Sequence, residues 1–269
     1  MFKCDRFSAT FVQNSNSLLP INAKTPIGEP FSELHEVDST NIYAIDKVQA
    51  NLAAHGSAFF ANAQYAGKGQ RGKTWISENG SNIILSVVID PSFLLINQQF
   101  ALSVMTSLAV FDFFSSYAGA ETKIKWPNDL FWRDRKTGGV LIDNHIQGTK
   151  WQYSVIGIGI NINQTQFSPI IQQAVSLKQI TGKDYDPVEL AKELCRFLDK
   201  RFEDLKAGLQ AQQLAEYNQH LYKKGAMVKF KKENIAFSGI VESVNEMGEL
   251  LVKNGLQDRF HFGEIVWVV

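Results

Sequence analysis

The segment Ile156–Asn163 carries glycine at alternate positions of an otherwise apolar run, Ile-Gly-Ile-Gly-Ile-Asn-Ile-Asn. It lies within Tyr153–Ile162, which has the composition of a buried strand. Successive strand residues point to opposite faces, so Gly157 and Gly159 leave one face bare. Glycine inside a strand is costly unless a ligand or another part of the protein packs closely against it. The segment therefore predicts a central strand covered by a ligand or by a closely packed neighbour.

A second feature is the loop Gly67–Trp75, which combines three glycines with three cations. Glycines allow the backbone to approach a ligand closely, and cations suit a phosphate group. The loop lacks the spacing of a Walker loop or of a dinucleotide-binding fingerprint. It is typical of a flexible clamp over an anionic or nucleotide ligand, and an ordinary cationic surface loop is the alternative.

Three shorter motifs carry polar groups that could contact a ligand. In Lys125-Trp126-Pro127-Asn128-Asp129 the proline keeps the preceding residue extended, and an amide and a carboxylate follow. Arg135–Val140 places a lysine just before a Gly-Gly turn into a strand, and Asp38–Asn41 offers hydroxyl and amide groups. The alternatives are a local type I turn, a solvated hairpin turn and a helix cap, respectively.

Composition excludes several classes of function. Lys plus Arg and Asp plus Glu are both 27, so the chain is not expected to bind DNA or membranes through bulk charge. Two cysteines, Cys4 and Cys195, form no metal or redox pattern, and the five histidines have no ligand spacing. We find no signal peptide and no apolar stretch of about 18 residues, which favours a cytoplasmic protein.

Periodicity predicts an α+β chain. Strands are expected at Phe31–Val37, Ser57–Gln64, Asn82–Ile89, Lys123–Trp126, Val140–Asp143 and Tyr153–Ile162. Helices are expected from Asn41 to Ala50, around Phe100–Phe111, from Pro187 to about Leu205, and ending near Lys224-Gly225. Short alternating runs after Gly225 predict a small antiparallel barrel. The expected domains are an N-terminal lead-in of residues 1–30, a main domain of residues 31–224 and a C-terminal domain of residues 225–269.

The order of these motifs from about Phe31 to the C-terminus resembles biotin–protein ligases. The resemblance implies a mixed-sheet, class II synthetase-like catalytic domain followed by a C-terminal SH3-like β-barrel. It implies that ATP with Mg²⁺ activates biotin to biotinyl-5′-AMP, and that biotin then passes to a lysine of a biotin carboxyl carrier domain. No helix-turn-helix module fits ahead of Phe31, so the ligase-only form without a nucleic-acid-binding domain is expected.

The resemblance also assigns roles to matching residues. The expected catalytic residues are Arg71, Lys136 and Lys125, and Asp129 is the expected Mg²⁺ ligand. The expected biotin site is Ser39, Thr40, Asn41, Gln64, Gly67, Lys68, Gly69, Gln70, Arg71, Lys136 and Gly139. The expected ATP and adenylate site is Lys68, Gln70, Arg71, Gly72, Trp75, Asn128 and Asn161.

Two departures and several alternatives remain. Lys68 and Gln70 stand where repressor-type members have arginines, and the uncharged Gln70 is expected to hold the adenylate less tightly. The nearest alternative function is a lipoate–protein ligase or an octanoyltransferase. A non-catalytic sensor of biotin or its adenylate is the alternative from another class. The sequence leaves a homodimer open.

Overall fold

Two β-sheets and five α-helices form the part of the chain that the structure, a computed structural model, describes: residues 25–168, 173–233, 235–255 and 258–268. Cys4 and most of the expected N-terminal lead-in fall outside these ranges. The strands are β1 Phe31–Val37, β2 Ala58–Gln64, β3 Ile83–Ile89, β4 Thr122–Lys125, β5 Asp129–Trp132, β6 Arg135–Gln147, β7 Lys150–Ile160, β8 Met227–Lys232, β9 Ile235–Val244, β10 Leu250–Lys253, β11 Arg259–Phe260 and β12 Val266–Val268. The helices are α1 Thr40–Gln49, α2 Gln99–Ala118, α3 Leu177–Thr181, α4 Pro187–Lys206 and α5 Gln210–Gln219.

The larger sheet has seven strands in the order β1-β2-β3-β7-β6-β5-β4. β1 runs parallel to β2, whereas every other neighbouring pair is antiparallel. This mixed sheet with its helices confirms the predicted α+β class. The glycine-bearing strand β7 is central, between β3 and β6, because its apolar residues suit burial on both sides of the sheet.

The long helix α2 is the centre of the main core. It packs against α4, α5 and the sheet, and eleven of its twenty residues are buried. The segment Ile96–Ala118, which has a mean hydropathy of 1.3 over an 18-residue window, is long and apolar enough to cross a membrane, which corrects the expectation that no such stretch exists. Its burial inside the protein is the arrangement of a core helix in a soluble protein.

Sequence reasoning missed two elements and misjudged the surroundings of Lys136. It missed α3, which is only five residues long, and β5, because Asp129 was interpreted as part of a turn. Gly138 and Gly139 belong to β6 rather than to a hairpin turn. A Cβ at Gly138 would lie 2.7 Å from the carbonyl oxygen of Gly159, so close contact between strands explains that glycine.

The smaller sheet is antiparallel, with the order β11-β10-β9-β8-β12. It confirms the strand-rich character predicted after Gly225, while closure into an SH3-like barrel stays a prediction. Hydrogen bonds from side chains of other segments help to fasten it to the rest of the protein. The indole N–H of Trp126 donates to the carbonyl oxygen of Gly248 at 2.9 Å, and Nδ2 of Asn218 donates to that of Val244 at 2.8 Å.

Arg201 holds three helices together through a half-buried ion-pair cluster. From α4, its Nε donates to Oδ2 of Asp112 on α2 at 2.6 Å, and its Nη1 and Nη2 donate to Glu216 on α5 at 2.7 and 2.6 Å. The Arg201 side chain is only 13% exposed, so these bonds are shielded from water. The guanidinium lowers the pKa of Glu216 below its ordinary value.

We expect Arg201→Gln to lower the free energy of unfolding by about 2–3 kcal/mol at neutral pH, because two carboxylates lose a shielded partner. The exposed ion pair of Lys178 and Asp184 provides the control, and Lys178→Ala should cost less than about 1 kcal/mol. Urea unfolding measures both.

The low pKa of Glu216 in the folded protein also determines how its contribution to the free energy of unfolding depends on pH. Its contribution is present above the ordinary glutamate pKa and is lost as pH falls through the lower pKa of the folded state. The difference in free energy of unfolding between the parent and Arg201→Gln should therefore become smaller at acid pH. A gap that stays constant down to the acid transition would contradict this account.

Candidate active site

A cavity of about 660 Å³ lies over the bare face of β7. Its volume falls within the range of small-molecule sites. Both sheets and the glycine loop contribute to its wall. The lining residues are Ser39, Thr40, Asn41, Gln64, Lys68, Gly69, Gln70, Arg71, Lys73, Thr74, Trp75, Ile84, Lys125, Trp126, Pro127, Asn128, Asp129, Lys136, Gly139, Val140, Leu141, Gly157, Ile158, Gly159, Phe262, Gly263, Ile265, Val266 and Trp267.

The two glycines of β7 are required by the side chains that lie on them. A Cβ at Gly157 would collide with the side-chain amide of Asn41. A Cβ at Gly159 would lie 2.5 Å from the indole ring of Trp75. The bare face is thus covered by two protein side chains, and the cavity opens beside them.

A buried polar floor forms at the start of α1. Ser39, Thr40 and Asn41 are each less than 5% exposed. Ser39 occupies the N-cap position, but its side chain makes no capping hydrogen bond, so the expected cap cluster is not what these residues form. The backbone N–H of Thr40 donates to Oε1 of Gln64 at 2.8 Å. The amide nitrogen of Gln64 therefore remains available as a donor.

The glycine loop lies against the smaller sheet. Arg71 adopts the left-handed conformation, with φ of 56°. Its Nη1 donates to the carbonyl oxygen of Gly263 at 3.0 Å, and its guanidinium carbon lies 5.6 Å from the ring centre of Phe262. A Cβ at Gly263 would collide with this guanidinium. The end of the chain thus positions a cation of the loop beside the cavity.

Lys136 and Asp129 form an ion pair in the cavity wall. Nζ of Lys136 lies 2.6 Å from Oδ1 of Asp129, and the side chains are 32% and 27% exposed. The neighbouring β5 and β6 bring them together although seven positions separate them in sequence. Gly139 is beside this pair, since a Cβ there would lie 3.4 Å from Nζ of Lys136. Lys136 is therefore held in place instead of extending from an exposed turn.

Lys125 lies in a cage of aromatic rings. Its Nζ is 4.4 Å from the ring centre of Phe131, 5.6 Å from that of Tyr222 and 5.4 Å from that of Trp267. Burial lowers the pKa of Lys125 to about 8, an effect that Asp129 opposes and Lys136 reinforces. The rings partly compensate the loss of water around the cation. Lys125 is therefore a cation that titrates just above neutral pH.

Not every predicted site residue reaches the cavity wall. Asn128 does, and its Nδ2 donates to the carbonyl oxygen of Val140 at 2.5 Å. Asn161 does not, because its buried Nδ2 faces the carbonyl oxygens of Lys136 and Val175 at 3.5 and 3.4 Å. Gly67 and Gly72 are also absent from the wall. A Cβ at Gly67 would lie 2.5 Å from the carbonyl oxygen of Trp75, so this glycine shapes the loop.

Sequence reasoning missed the contribution of the chain's end. Phe262, Gly263, Ile265, Val266 and Trp267 all line the cavity. They lie in the connection between β11 and β12 and at the start of β12, about 100 residues beyond β7, and no local motif marks them. Only the packing of one sheet on the other could have identified them.

The described residues supply a binding and charge-stabilising site without an activated nucleophile. Cys195 is in the core, where burial raises the pKa of its thiol to about 12, and a protonated thiol is a poor nucleophile. Within the described ranges, no group of three His, Cys, Asp or Glu residues could hold a metal. The cavity combines a polar floor, a cationic loop and two further lysines, an arrangement suited to an acid and a phosphate-bearing partner.

Comparison with known proteins agrees with this arrangement. Residues 34–161 match the biotin/lipoate A/B protein ligase family. The bifunctional ligase/repressor BirA of Bacillus subtilis is 28% identical over 193 residues, which are 71% of this chain and 59% of that protein. The biotin–[acetyl-CoA-carboxylase] ligase of Paracoccus denitrificans is 32% identical over 58% of this chain and 66% of its own length. The chain thus spans about three fifths of the first of these relatives.

A solved structure shares the fold over most of the chain. The biotin protein ligase of Aquifex aeolicus, in complex with biotin and ATP, superposes with a TM-score of 0.74 at 24% identity, covering 88% of this chain and 97% of that one. The family match includes the floor, the glycine loop and the lysine–aspartate pair. Residues 34–161 therefore form a domain of the biotin/lipoate A/B protein ligase family.

Proposed function

We propose that this protein is a biotin–protein ligase that makes biotinyl-5′-AMP from biotin and ATP and transfers the biotin to a lysine of a carrier domain. One observation carries the proposal: a single cavity joins a buried polar floor to a cluster of cations. The floor suits the ring of a polar small acid, and the cations suit its carboxylate and a nucleotide's phosphates. The relatives named as biotin ligases support the choice of acid.

In the first step, a carboxylate oxygen of biotin attacks the α-phosphorus of ATP, and pyrophosphate leaves. Negative charge builds on the phosphoryl oxygens, and Arg71, Lys136 and Lys125 are the residues we expect to stabilise it. The ion pair with Asp129 fixes the direction of Lys136 before the substrates arrive. Trp75 offers an aromatic surface beside Gly159 for the adenine.

Mg²⁺ fits this site as an ion carried by the nucleotide. Asp129 is the one carboxylate that lines the cavity in the described part of the chain, and one of its oxygens already accepts a hydrogen bond from Lys136. Mg²⁺ is commonly held by one or two carboxylates together with substrate phosphates and water. Asp129 would be its protein ligand, and the ion would neutralise phosphate charge.

In the second step, the ε-amine of the acceptor lysine attacks the acyl carbon of the mixed anhydride, AMP leaves, and the amine loses a proton. This chemistry needs no nucleophile from the enzyme. Ordering of the loop around Arg71 would exclude water and protect the anhydride from hydrolysis.

Several further assignments belong to the same proposal. We propose a carboxylase's biotin carrier as acceptor, in keeping with the names of the relatives, and a cytoplasmic location. Residues 31–224 would form the catalytic domain and residues 225–269 an SH3-like domain whose end completes the cavity. A homodimer and the absence of nucleic-acid binding are expectations from the sequence alone.

The first test compares pyrophosphate release from ATP·Mg²⁺ with biotin or lipoate as the acid and no acceptor present. The proposal predicts release that depends on biotin. Release with lipoate alone would assign the chain to the sister ligases. If neither acid supports release, a transfer assay from an octanoyl thioester would identify an ATP-independent transferase, and silence there would favour a sensor.

The second test removes the cation of the central ion pair. Lys136→Ala should lower kcat/KM for adenylate formation by about 100-fold or more, because the transition state loses a prearranged cation. Lys150→Ala, which removes an exposed lysine at the start of β7, is the control and should leave the rate unchanged. Formation of adenylate by a folded Lys136→Ala protein at the parent rate would exclude the role.

The third test uses the lowered pKa of Lys125. A lysine is charged below its pKa, so a rate that needs this cation should fall as pH rises through about 8. Lys125→Arg keeps the charge at all accessible pH values and should remove this fall. If the rate falls at alkaline pH in the same way for the parent and for Lys125→Arg, a group other than Lys125 causes the fall.

A further inference from the structure

Four polar side chains form a continuous row beneath the cavity floor: Asp143, Asn41, Ser86 and Thr40. Nδ2 of Asn41 donates to Oδ2 of Asp143 at 2.7 Å. Oγ of Ser86 lies 2.6 Å from Oδ1 of Asn41 and 2.7 Å from Oγ1 of Thr40. Ser86 is fully buried, and Asn41 and Thr40 are each 4% exposed. The row therefore connects a carboxylate on β6 to a hydroxyl of the cavity wall.

The carboxylate fixes the orientation of the Asn41 amide. An ionised carboxylate only accepts hydrogen bonds, and so does the carbonyl oxygen of Leu141, which lies 3.5 Å from Nδ2 of Asn41. Reversing the amide would place its oxygen against both acceptors. Oδ1 of Asn41 must therefore face Ser86 and needs a donor there.

The positions of the hydroxyl protons follow from these distances. A contact of 2.6 Å between Ser86 Oγ and Asn41 Oδ1 requires a proton, and only Ser86 can supply it. Ser86 has a single proton, so the 2.7 Å contact with Thr40 must use the proton of Thr40. Oε1 of Gln64 is a more distant acceptor, at 3.3 Å from Oγ1 of Thr40. It already accepts a hydrogen bond from the Thr40 backbone N–H, so it does not need the hydroxyl proton of Thr40.

With its proton committed to Ser86, Thr40 can offer only lone pairs to the cavity. We propose that Asp143 and Ser86 are positioning residues that make Thr40 an obligate hydrogen-bond acceptor and thereby select an acid whose ring bears an N–H donor. This inference rests on the proposed function and specifies how the site recognises its acid. The ureido ring of biotin has such N–H groups, whereas the dithiolane ring of lipoate has none.

The position of Ser86 supports a role beyond packing. It is the polar residue in the run Ile83–Ile89, in which every residue is buried. It pairs in register with Gly157, the glycine over which the Asn41 side chain lies. A buried hydroxyl costs free energy unless it is hydrogen-bonded, and a small apolar residue would fill this place without a partner. The serine and the glycine opposite it therefore serve to hold the Asn41 amide.

The experiment measures pyrophosphate release as a function of biotin concentration at saturating ATP·Mg²⁺. Ser86→Ala and Asp143→Ala should raise KM for biotin about 10- to 100-fold, because Thr40 becomes free to turn its proton toward the ligand. Their kcat and their KM for ATP should stay within about 3-fold of the parent, since the reacting atoms are unaffected. Asp143→Asn retains an oxygen acceptor and should recover most of the affinity lost in Asp143→Ala.

Ser154→Ala is the matched control. Ser154 is also a fully buried serine with two hydrogen-bond partners, Trp151 and Asn144, but it does not line the cavity. Its loss should reduce stability without raising KM for biotin. Asp143 is only partly buried, so its variants remain informative if Ser86→Ala does not fold.

The outcomes separate this inference from the proposed function. A parent without biotin-dependent release would overturn both. An active parent whose Ser86→Ala and Asp143→Ala variants keep KM for biotin within 3-fold would overturn the inference alone. If the variants lower kcat and raise KM for both substrates to the same extent, and Ser154→Ala does the same, the row has only a structural role. A selective rise in KM for biotin, relieved in Asp143→Asn, is the expected result.

Discussion

The site depends on the absence of side chains at Gly157 and Gly159. These two positions lie on one face of a central strand, where Asn41 and Trp75 rest directly on the backbone. A Cβ at either position would displace the residue above it. Asn41 is the middle of the polar floor, and Trp75 closes the glycine loop at its end. The two glycines thus fix the positions of two residues that line the cavity.

The smaller sheet and its connections supply part of the cavity wall. Arg71 reaches across to Gly263, and Trp267 forms part of the cage around Lys125. Burial removes water from around Lys125 and lowers its pKa, and the neighbouring cation of Lys136 lowers it further. A site that holds several partly shielded cations in advance is prepared for a ligand that brings negative charge. That preparation is the physical link between this fold and the phosphoryl chemistry that we propose.

Local sequence pattern was enough to predict most of the fold. Apolar periodicity located α2 and α4, and the alternating glycines identified a central strand with something packed against it. It failed where tertiary contacts override local preference. Asp129 looks like a turn residue but starts β5, because pairing with β6 extends the chain there. Ser39 looks like a helix cap, but its side chain makes no capping hydrogen bond and lines the cavity.

The candidate site could be predicted only in part for a similar reason. Motifs near Arg71, Asp129 and Lys136 were visible because each is compact in sequence, whereas Gln64 was named only through the family resemblance. The network of Ser86 and Asp143 was not, since its members come from separate strands and single polar residues in apolar runs carry no pattern. Asn161 shows the reverse case, in which a plausible ligand residue satisfies backbone carbonyls instead.

The most direct test of the central claim, that one cavity joins an acid to a nucleotide, is native mass spectrometry of the protein after incubation with biotin and ATP·Mg²⁺. The account predicts a retained species with the mass of biotinyl-5′-AMP that requires both substrates and disappears when a carrier domain is added. Biotin and ATP bound together without conversion, or no retained adenylate from an active protein, would contradict it.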